Sequence, residues 1–393
     1  MASDTELLEH LQERLVAEGH QVWHSLEQRG FGVLDDALGE ALATELLEHM
    51  CVLDEASLFR PNQVRFTVVD REAPGGHRAV VVSKPDIYEL DLHQSQEVRD
   101  MVPSFRALFD GNRLVELLQS TQQRYYENRR QQALLIRGDA TAVETVTPDA
   151  SDLEHVRLAH GANGKTIKLQ LNKGGCFPLH HDNPGAPNRR VLTCLVYLNR
   201  DWKVGDGGEL VAQPFLGAQA YHVAPRFDRM VLFRADVLLH RVLPAHRTRY
   251  CFTVWIDASE DDTYVNSSKH LSLLARHIRL SSYDDDLARA AAFFQRSPLQ
   301  RCLTRFVYAE EYEASLRECM GHSSDGKILL HSHAAAVAHA KANRELDAFV
   351  EHCRAYKQLH CDPHPPVLLP WYDWLTYNPL TPRSRSLTED TGV

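Results

Sequence analysis

His180-His-Asp-Asn-Pro184 runs into the apolar stretch Val191-Leu-Thr-Cys-Leu-Val-Tyr-Leu198. In an extended strand the side-chain period is two, so Thr193, Leu195 and Tyr197 share one face of the second segment, and Cys194, Val196 and Leu198 the other. The run from Arg249 to Ile256 alternates in the same way, with Arg249, Cys251, Thr253 and Trp255 on one side. Between Thr166 and Asp257 further short apolar runs recur with turns between them: Ile167-Lys-Leu-Gln-Leu171, Gly208-Glu-Leu-Val-Ala212 and Met230-Val-Leu-Phe233. Several short strands at this spacing predict a β-sandwich or jelly roll.

His180 and Asp182 stand two positions apart, which on a strand places both on one face. A third donor must come from another strand, and His240, 58 residues beyond Asp182, is the best placed. Two neutral imidazoles and one carboxylate form the triangular donor set that holds iron(II) and leaves its opposite positions open. His181 falls on the other face and is expected behind the ligands or toward solvent. His222 and His246 compete with His240, but His246 lies only three residues before Arg249. An arginine opening a largely apolar strand is costly unless it meets an anion. Its planar fork matches a carboxylate in two parallel hydrogen bonds.

Outward from this core the texture changes. Residues 5–29 carry Leu7, Leu8, Leu11, Leu15, Val22, Trp23 and Leu26 at helical spacing. Gly30 to Leu38 reads as a strand entering a helix at 39–50, with Asp35 or Asp36 available at its start. Residues 58–90 are broken by Pro61, Pro74-Gly-Gly76 and Pro85, with a short strand at Ala79–Ser83. Residues 96–131 are helical in pattern, and 137–164 read as a surface loop. Beyond 264 helices are predicted at 268–279, 284–295, 307–320 and 331–358, before a polar tail. The resulting fold class is α+β: a jelly-roll (double-stranded β-helix) core with packed N-terminal helices and a helical C-terminal extension. The expected division is a support region at 1–135, the core at 136–260, the extension at 261–380 and a disordered tail at 381–393.

The 393 residues carry a formal charge of −10, which argues against a nucleic-acid partner. No apolar run is long enough to span a bilayer, so no membrane association is expected. The acidic, amphipathic start lacks the features of a secretory signal. The eight cysteines, at 51, 176, 194, 251, 302, 319, 353 and 361, show no framework spacing and read as reduced thiols of a cytoplasmic or nuclear protein. Cys319-x-x-His322 and Cys361-x-x-His364 have the composition of a zinc site, but the gap between them is loose and histidine is common throughout the region.

Taken together, these segments resemble the 2-oxoglutarate- and iron(II)-dependent dioxygenases of the prolyl 4-hydroxylase type, most closely the Egl-nine-like prolyl hydroxylases. The resemblance runs through His180–Pro184, Thr193–Asn199 with Asp201-Trp202, Gly207–Leu210, Phe227–Phe233, and His240 through Thr253-Val-Trp255. It covers roughly residues 160–258 and implies His180, Asp182 and His240 as iron ligands. It implies Arg249 as the anchor of the 2-oxoglutarate distal carboxylate, with Tyr197 bonded to that group and Thr253 and Trp255 lining the pocket. The family places a tyrosine ten residues before the first ligand; this chain has Gln170, whose amide is still a donor to the co-substrate.

The implied reaction couples oxidative decarboxylation, giving succinate and carbon dioxide, to hydroxylation of a substrate C–H bond. Iron(II), 2-oxoglutarate and dioxygen are the implied cofactor and co-substrates, with ascorbate a candidate accessory. A prolyl residue of a protein is the leading substrate class. A free amino acid or small metabolite is the alternative, and a non-catalytic jelly-roll scaffold is the reading of another class. Asp182 argues against halogenation, which needs that carboxylate position vacated.

Overall fold

The computed structural model describes residues 4–69, 77–137, 156–183, 185, 187–217, 219–260, 300–321 and 323–360. The predicted helices at 268–279 and 284–295, and the segment beyond 360, lie outside them.

Eleven strands form two antiparallel sheets among the described residues. In chain order they are β1 (Phe31–Leu34), β2 (Arg60–Val69), β3 (His77–Asp91), β4 (Lys165–Asn172), β5 (Phe177–His180), β6 (Arg190–Tyr197), β7 (Leu210–Gln213), β8 (Tyr221–Val223), β9 (Arg229–Arg234), β10 (Leu239–Val242) and β11 (Arg249–Asp257). The larger sheet runs β1-β9-β6-β11-β4-β3-β2 and the smaller β5-β10-β7-β8. The faces assigned to β6 by alternation hold. Leu195 and Tyr197 join the cluster between the sheets with Phe31, Phe177, Leu210 and Phe233. Cys194, Val196 and Leu198 join the cluster on the outer face.

That outer face is covered by the N-terminal helices: α1 (Asp4–Leu7), α2 (Glu9–Arg29), α3 (Glu40–Glu55), α4 (Gln96–Met101), α5 (Pro103–Asp110) and α6 (Arg113–Arg137). Leu11, Leu15, Val22, Trp23 and Leu26 of α2 are all buried, as their helical spacing requires. Phe105 of α5 meets Phe252 of β11 edge to face at 5.2 Å. Truncating either Trp23 or Phe105 to alanine should cost about 3–5 kcal/mol.

The smaller sheet is backed by α7 (Gln300–Val307), α8 (Ala309–Met320), α9 (Ser324–Lys341) and α10 (Arg344–His360). Leu179 and Leu239 on its outer face pack with Leu303, Val307, Leu346 and Phe349. The molecule is thus four layers deep, with a helical layer on each side of the paired sheets.

Three local expectations change. The broken stretch 58–90 is a long antiparallel β2–β3 pair, not a mixture: Pro61 borders its register shift, and Pro85 lies in the part of β3, between Ser83 and Tyr88, that the shift leaves without a β2 partner. Neither Asp35 nor Asp36 caps α3. The N–H groups of Leu38 and Gly39 donate to Asp228 at 2.9 and 2.8 Å, a partner 190 residues distant. Asp35 instead receives both Nε and Nη2 of Arg229, at 2.5 and 2.7 Å. Nor are all the thiols reduced. Cys176, just before β5, and Cys319, in α8, form a disulfide across 143 residues. Local spacing cannot announce a bond between such distant segments. Cys319 is therefore committed and does not serve a zinc site; His322, Cys361 and His364 lie outside the described residues.

Candidate metal and co-substrate site

His180 ends β5 and His240 lies opposite it on β10, paired in register. Asp182 stands two residues past His180, beyond the end of β5 rather than within it. The three donor atoms lie within 4.8 Å of one another. Asp182 Oδ1 is 3.5 Å from His180 Nε2 and 3.6 Å from His240 Nε2. Neither His222, on β8, nor His246 joins this group.

The surroundings orient each donor. His180 Nδ1 lies 2.8 Å from the Pro178 carbonyl and His240 Nδ1 3.1 Å from the Leu238 carbonyl. A carbonyl only accepts, so each Nδ1 carries the proton and each Nε2 presents a lone pair inward. Asp182 Oδ2 accepts from Thr193 Oγ1 at 2.7 Å and from Trp255 Nε1 at 2.9 Å, which leaves Oδ1 to face the imidazoles. Burial by itself would raise the Asp182 carboxyl, but His240 and His180 beside it hold it well below the usual carboxylate range. Burial, and then His240, pushes His180 down, which keeps its ring neutral. Neutral imidazoles and an ionised carboxylate suit a divalent ion. His181 also lines the cavity, and its Nε2 is buried with no partner rather than turned to solvent.

The triad lies on the wall of a cavity of about 420 Å³ between the sheets. Deeper in, Arg249 is 4% exposed and, among the described residues, meets Tyr197 and Cys251 and no carboxylate at ion-pair distance. Its guanidinium sits 4.8 Å over the Tyr197 ring and donates from Nη1 to Cys251 Sγ at 3.2 Å. Arg249 Nε and the Tyr197 hydroxyl are both buried without a well-formed hydrogen bond. Burial pushes the Tyr197 phenol up to about 12, so it remains a donor. Two orphaned donors beside a desolvated cation make a seat for an anion. Thr253 and Gln170 line the same cavity, with the Thr253 hydroxyl 3.4 Å from Gln170 Oε1.

The Gly207-Gly208 pair explains how the arginine fits. Gly208 adopts φ +77°, and a Cβ there would come within 2.8 Å of Arg249 Cδ. Gly207, at φ +71°, would collide with the Pro244 carbonyl at 2.1 Å. Both positions need the absence of a side chain.

Several participants went unread in the sequence. Thr193 was seen only as a strand residue, and Trp255 was assigned to the pocket wall without its bond to Asp182. Asn183, fully buried, holds the turn after the triad, donating to the Arg190 carbonyl at 2.6 Å and accepting from Gly185 N–H at 2.8 Å. At the mouth, Lys84, Glu89, Lys168 and Arg190 reach the cavity, as do Leu316, Met320 and Leu329 from α8 and α9. Burial pushes the Lys84 ammonium down to about 8. The Asn that directly follows His-Asp is a turn-forming residue and was the available signal for this turn; nothing in the sequence ties α8 to the site.

Comparison with known proteins places this site in a class. Residues 167–257 match the 2OG-Fe(II) oxygenase superfamily. A solved structure of prolyl 4-hydroxylases from Phytophthora capsici is similar over 90% of this chain and 95% of its own, at 34% identity and a TM-score of 0.64. The chain belongs to the 2OG-Fe(II) oxygenase superfamily. Egl nine homolog 1 of Homo sapiens is 32% identical over 188 residues, which is 44% of this chain and 43% of the relative. Prolyl hydroxylase EGLN3 of Homo sapiens is 32% identical over 145 residues, 34% of this chain and 60% of the relative. The matched segment thus spans about half the length of these curated relatives. The family uses iron(II), 2-oxoglutarate and dioxygen, and the donor set and orphaned cation found here fit the first two. Among the described residues no helix is long and apolar enough to cross a membrane.

Proposed function

We propose that this protein is an iron(II)- and 2-oxoglutarate-dependent hydroxylase acting on a prolyl residue of a protein. The single observation that carries the reading is the pairing, in one cavity, of the His180–Asp182–His240 group with the buried Arg249. The names of two similar proteins, prolyl hydroxylase EGLN3 and the prolyl 4-hydroxylases of Phytophthora capsici, support the substrate class.

In this reading His180 Nε2, His240 Nε2 and Asp182 Oδ1 hold iron(II). Thr193 and Trp255 occupy Asp182 Oδ2, so the carboxylate would offer the ion one oxygen, Oδ1. Bound iron(II), with 2-oxoglutarate, supplies the activation of dioxygen and the decarboxylation to succinate. Arg249 and the Tyr197 hydroxyl hold the distal carboxylate, and Thr253 and Gln170 flank the co-substrate. Leu195, Phe233 and Val242 keep the cavity dry, which strengthens each charge pairing inside it. A scaffold without turnover would have no reason to bury an arginine beside a complete donor set.

Succinate formation with iron(II) and 2-oxoglutarate, followed by mass spectrometry of prolyl peptides for one added oxygen atom, tests this. Asp182→Ala should abolish both signals while the fold persists. An unchanged rate in that variant would sink the proposal. A cytoplasmic or nuclear location is proposed with it. There the Cys176–Cys319 bond would meet a reducing pool, and the thiol state of these two residues in cells tests the location.

A further inference from the structure

Given the hydroxylase reading, the charges around the cavity are not balanced by what has been assigned so far. Among the described residues the charged side chains that line it are Lys84, Glu89, Lys168, Asp182, Arg190 and Arg249. Glu89 is taken: its Oε1 receives Lys168 Nζ at 2.8 Å and its Oε2 receives Asn62 Nδ2 at 2.6 Å. Asp182 belongs to the metal group, and Arg249 faces the distal carboxylate. A divalent ion, one ligand carboxylate, a dicarboxylate co-substrate and one arginine sum to neutrality. Lys84 and Arg190 are left over.

Neither has a carboxylate within ion-pair distance among the described residues; both rest on aromatic rings instead. Lys84 Nζ lies 4.3 Å from the centroid of Phe177, and the Arg190 guanidinium 4.0 Å from that of Trp255. These rings belong to the site: Phe177 stacks on His180 at 6.1 Å, and Trp255 donates to Asp182. Cation–π contact steadies a half-desolvated cation but does not replace an anion. Two cations without a contact carboxylate therefore line the cavity, Lys84 facing Glu89 and Asp182 only at longer range and Arg190 likewise facing Asp182, Asp257, Asp91 and Glu89. The walls beside them are apolar, Val64 and Val82 from the hairpin and Leu316, Met320 and Leu329 from α8 and α9.

We propose that Lys84, with Arg190 as a second cation, binds a carboxylate carried by the substrate, so that the prolyl residue taken by this enzyme has an Asp or Glu within one or two positions. Lys84 thereby determines specificity. A free amino acid would present its own α-carboxylate to the same pair, and the test separates the two sources.

Labelled prolyl peptides that differ only in a neighbouring Glu, Gln or Lys are titrated by fluorescence anisotropy against the full chain. Iron(II) and 2-oxoglutarate are present and oxygen is excluded. The Glu peptide should bind about tenfold more tightly than the Gln peptide. Lys84→Glu should transfer the preference to the Lys peptide, and Lys84→Arg should keep it. In turnover, Lys84→Met should raise KM for the Glu peptide without a matching loss of kcat. Displacement by free L-proline, weakened in Lys84→Glu, would assign the carboxylate to an amino acid and still support the role of Lys84. Equal affinity for the Glu and Gln peptides, or a preference unmoved by Lys84→Glu, overturns the proposal, as does a failure of every probe to bind. Substrate-free succinate formation is measured in parallel. Absence of succinate both without substrate and with every peptide would strike the hydroxylase reading alone, since the anisotropy reports binding without turnover.

Discussion

At the floor of the cavity, Arg249 and Tyr197 sit on adjacent strands of one sheet, both fully enclosed. At the mouth, Lys84 comes from β3, Arg190 from the start of β6, and Leu316, Met320 and Leu329 from helices that follow the whole jelly-roll core in the chain. The floor is made by the alternation of a few strands, so its geometry follows from the sheet itself. The mouth is assembled from distant segments whose juxtaposition depends on tertiary packing. One of the bonds that fixes it is the Cys176–Cys319 disulfide, which ties α8 to the strand that carries His180. The difference implies that co-substrate affinity and substrate affinity can be changed separately.

The strongest test of that separation is Arg249→Leu. Removing one member of a buried charged pair costs about 2–5 kcal/mol, so the 2-oxoglutarate concentration at half-maximal succinate formation should rise about a hundredfold. Iron content, measured by metal analysis, should not change. If the KM for 2-oxoglutarate holds while the peptide KM moves, floor and mouth have been assigned the wrong way round.

Cys319→Ser addresses the mouth. Opening a long disulfide loop typically removes about 2–4 kcal/mol of stability, read as an earlier denaturation midpoint. Because α8 supplies Leu316 and Met320 to the cavity, the peptide KM should rise about fivefold, roughly 1 kcal/mol, with the 2-oxoglutarate KM constant. Dithiothreitol on the unaltered chain should reproduce both changes. Equal weakening of the two ligands would show that the bond supports the whole site.

Gly208→Ala is a milder probe of the floor. The left-handed backbone conformation costs an L-residue about 1–2 kcal/mol, and the new methyl group presses on Arg249 Cδ. The variant should lose that much stability and bind 2-oxoglutarate several-fold less tightly, with peptide affinity unchanged. A peptide-specific defect would count against the distinction.

The same contrast governs what could be read in advance. The faces of β6 and β11 were legible from strand alternation, and His180 and His240 do meet across paired strands, but Asp182 reaches them from the turn after β5 and not from the strand face that its spacing suggested. The two helical layers were legible in outline from apolar periodicity. Lys84 was not: Pro85 beside it reads as a breaker, and nothing local reveals that β3 continues past the proline to pair with β4. Thr193 was placed on the correct face, but its bond to Asp182 depends on a turn held by Asn183. The bonds from Leu38 to Asp228 and from Cys176 to Cys319 join residues 190 and 143 positions apart, beyond the reach of any spacing rule.

Asp228 belongs to neither end of the cavity and supplies the reference case with the smallest effect. Burial pushes its carboxyl up to about 6, although the Leu38 and Gly39 amides beside it favour the ionised form. An unfolded aspartate titrates near 3.9, so between about pH 4 and pH 6 the folded chain binds the extra proton. The contribution of this group to stability is therefore larger at the acidic end and declines as pH rises through that window. Asp228→Asn keeps one acceptor for α3 and cannot titrate. Urea midpoints measured from pH 4.5 to pH 7 should show the wild type losing its advantage over the variant as pH rises, with the two within about 1 kcal/mol at neutrality. Parallel profiles would contradict the raised carboxyl. Both KM values should stay at the wild-type level, because a residue that holds the segment leading into α3 can alter the scaffold without distinguishing the floor of the cavity from its mouth.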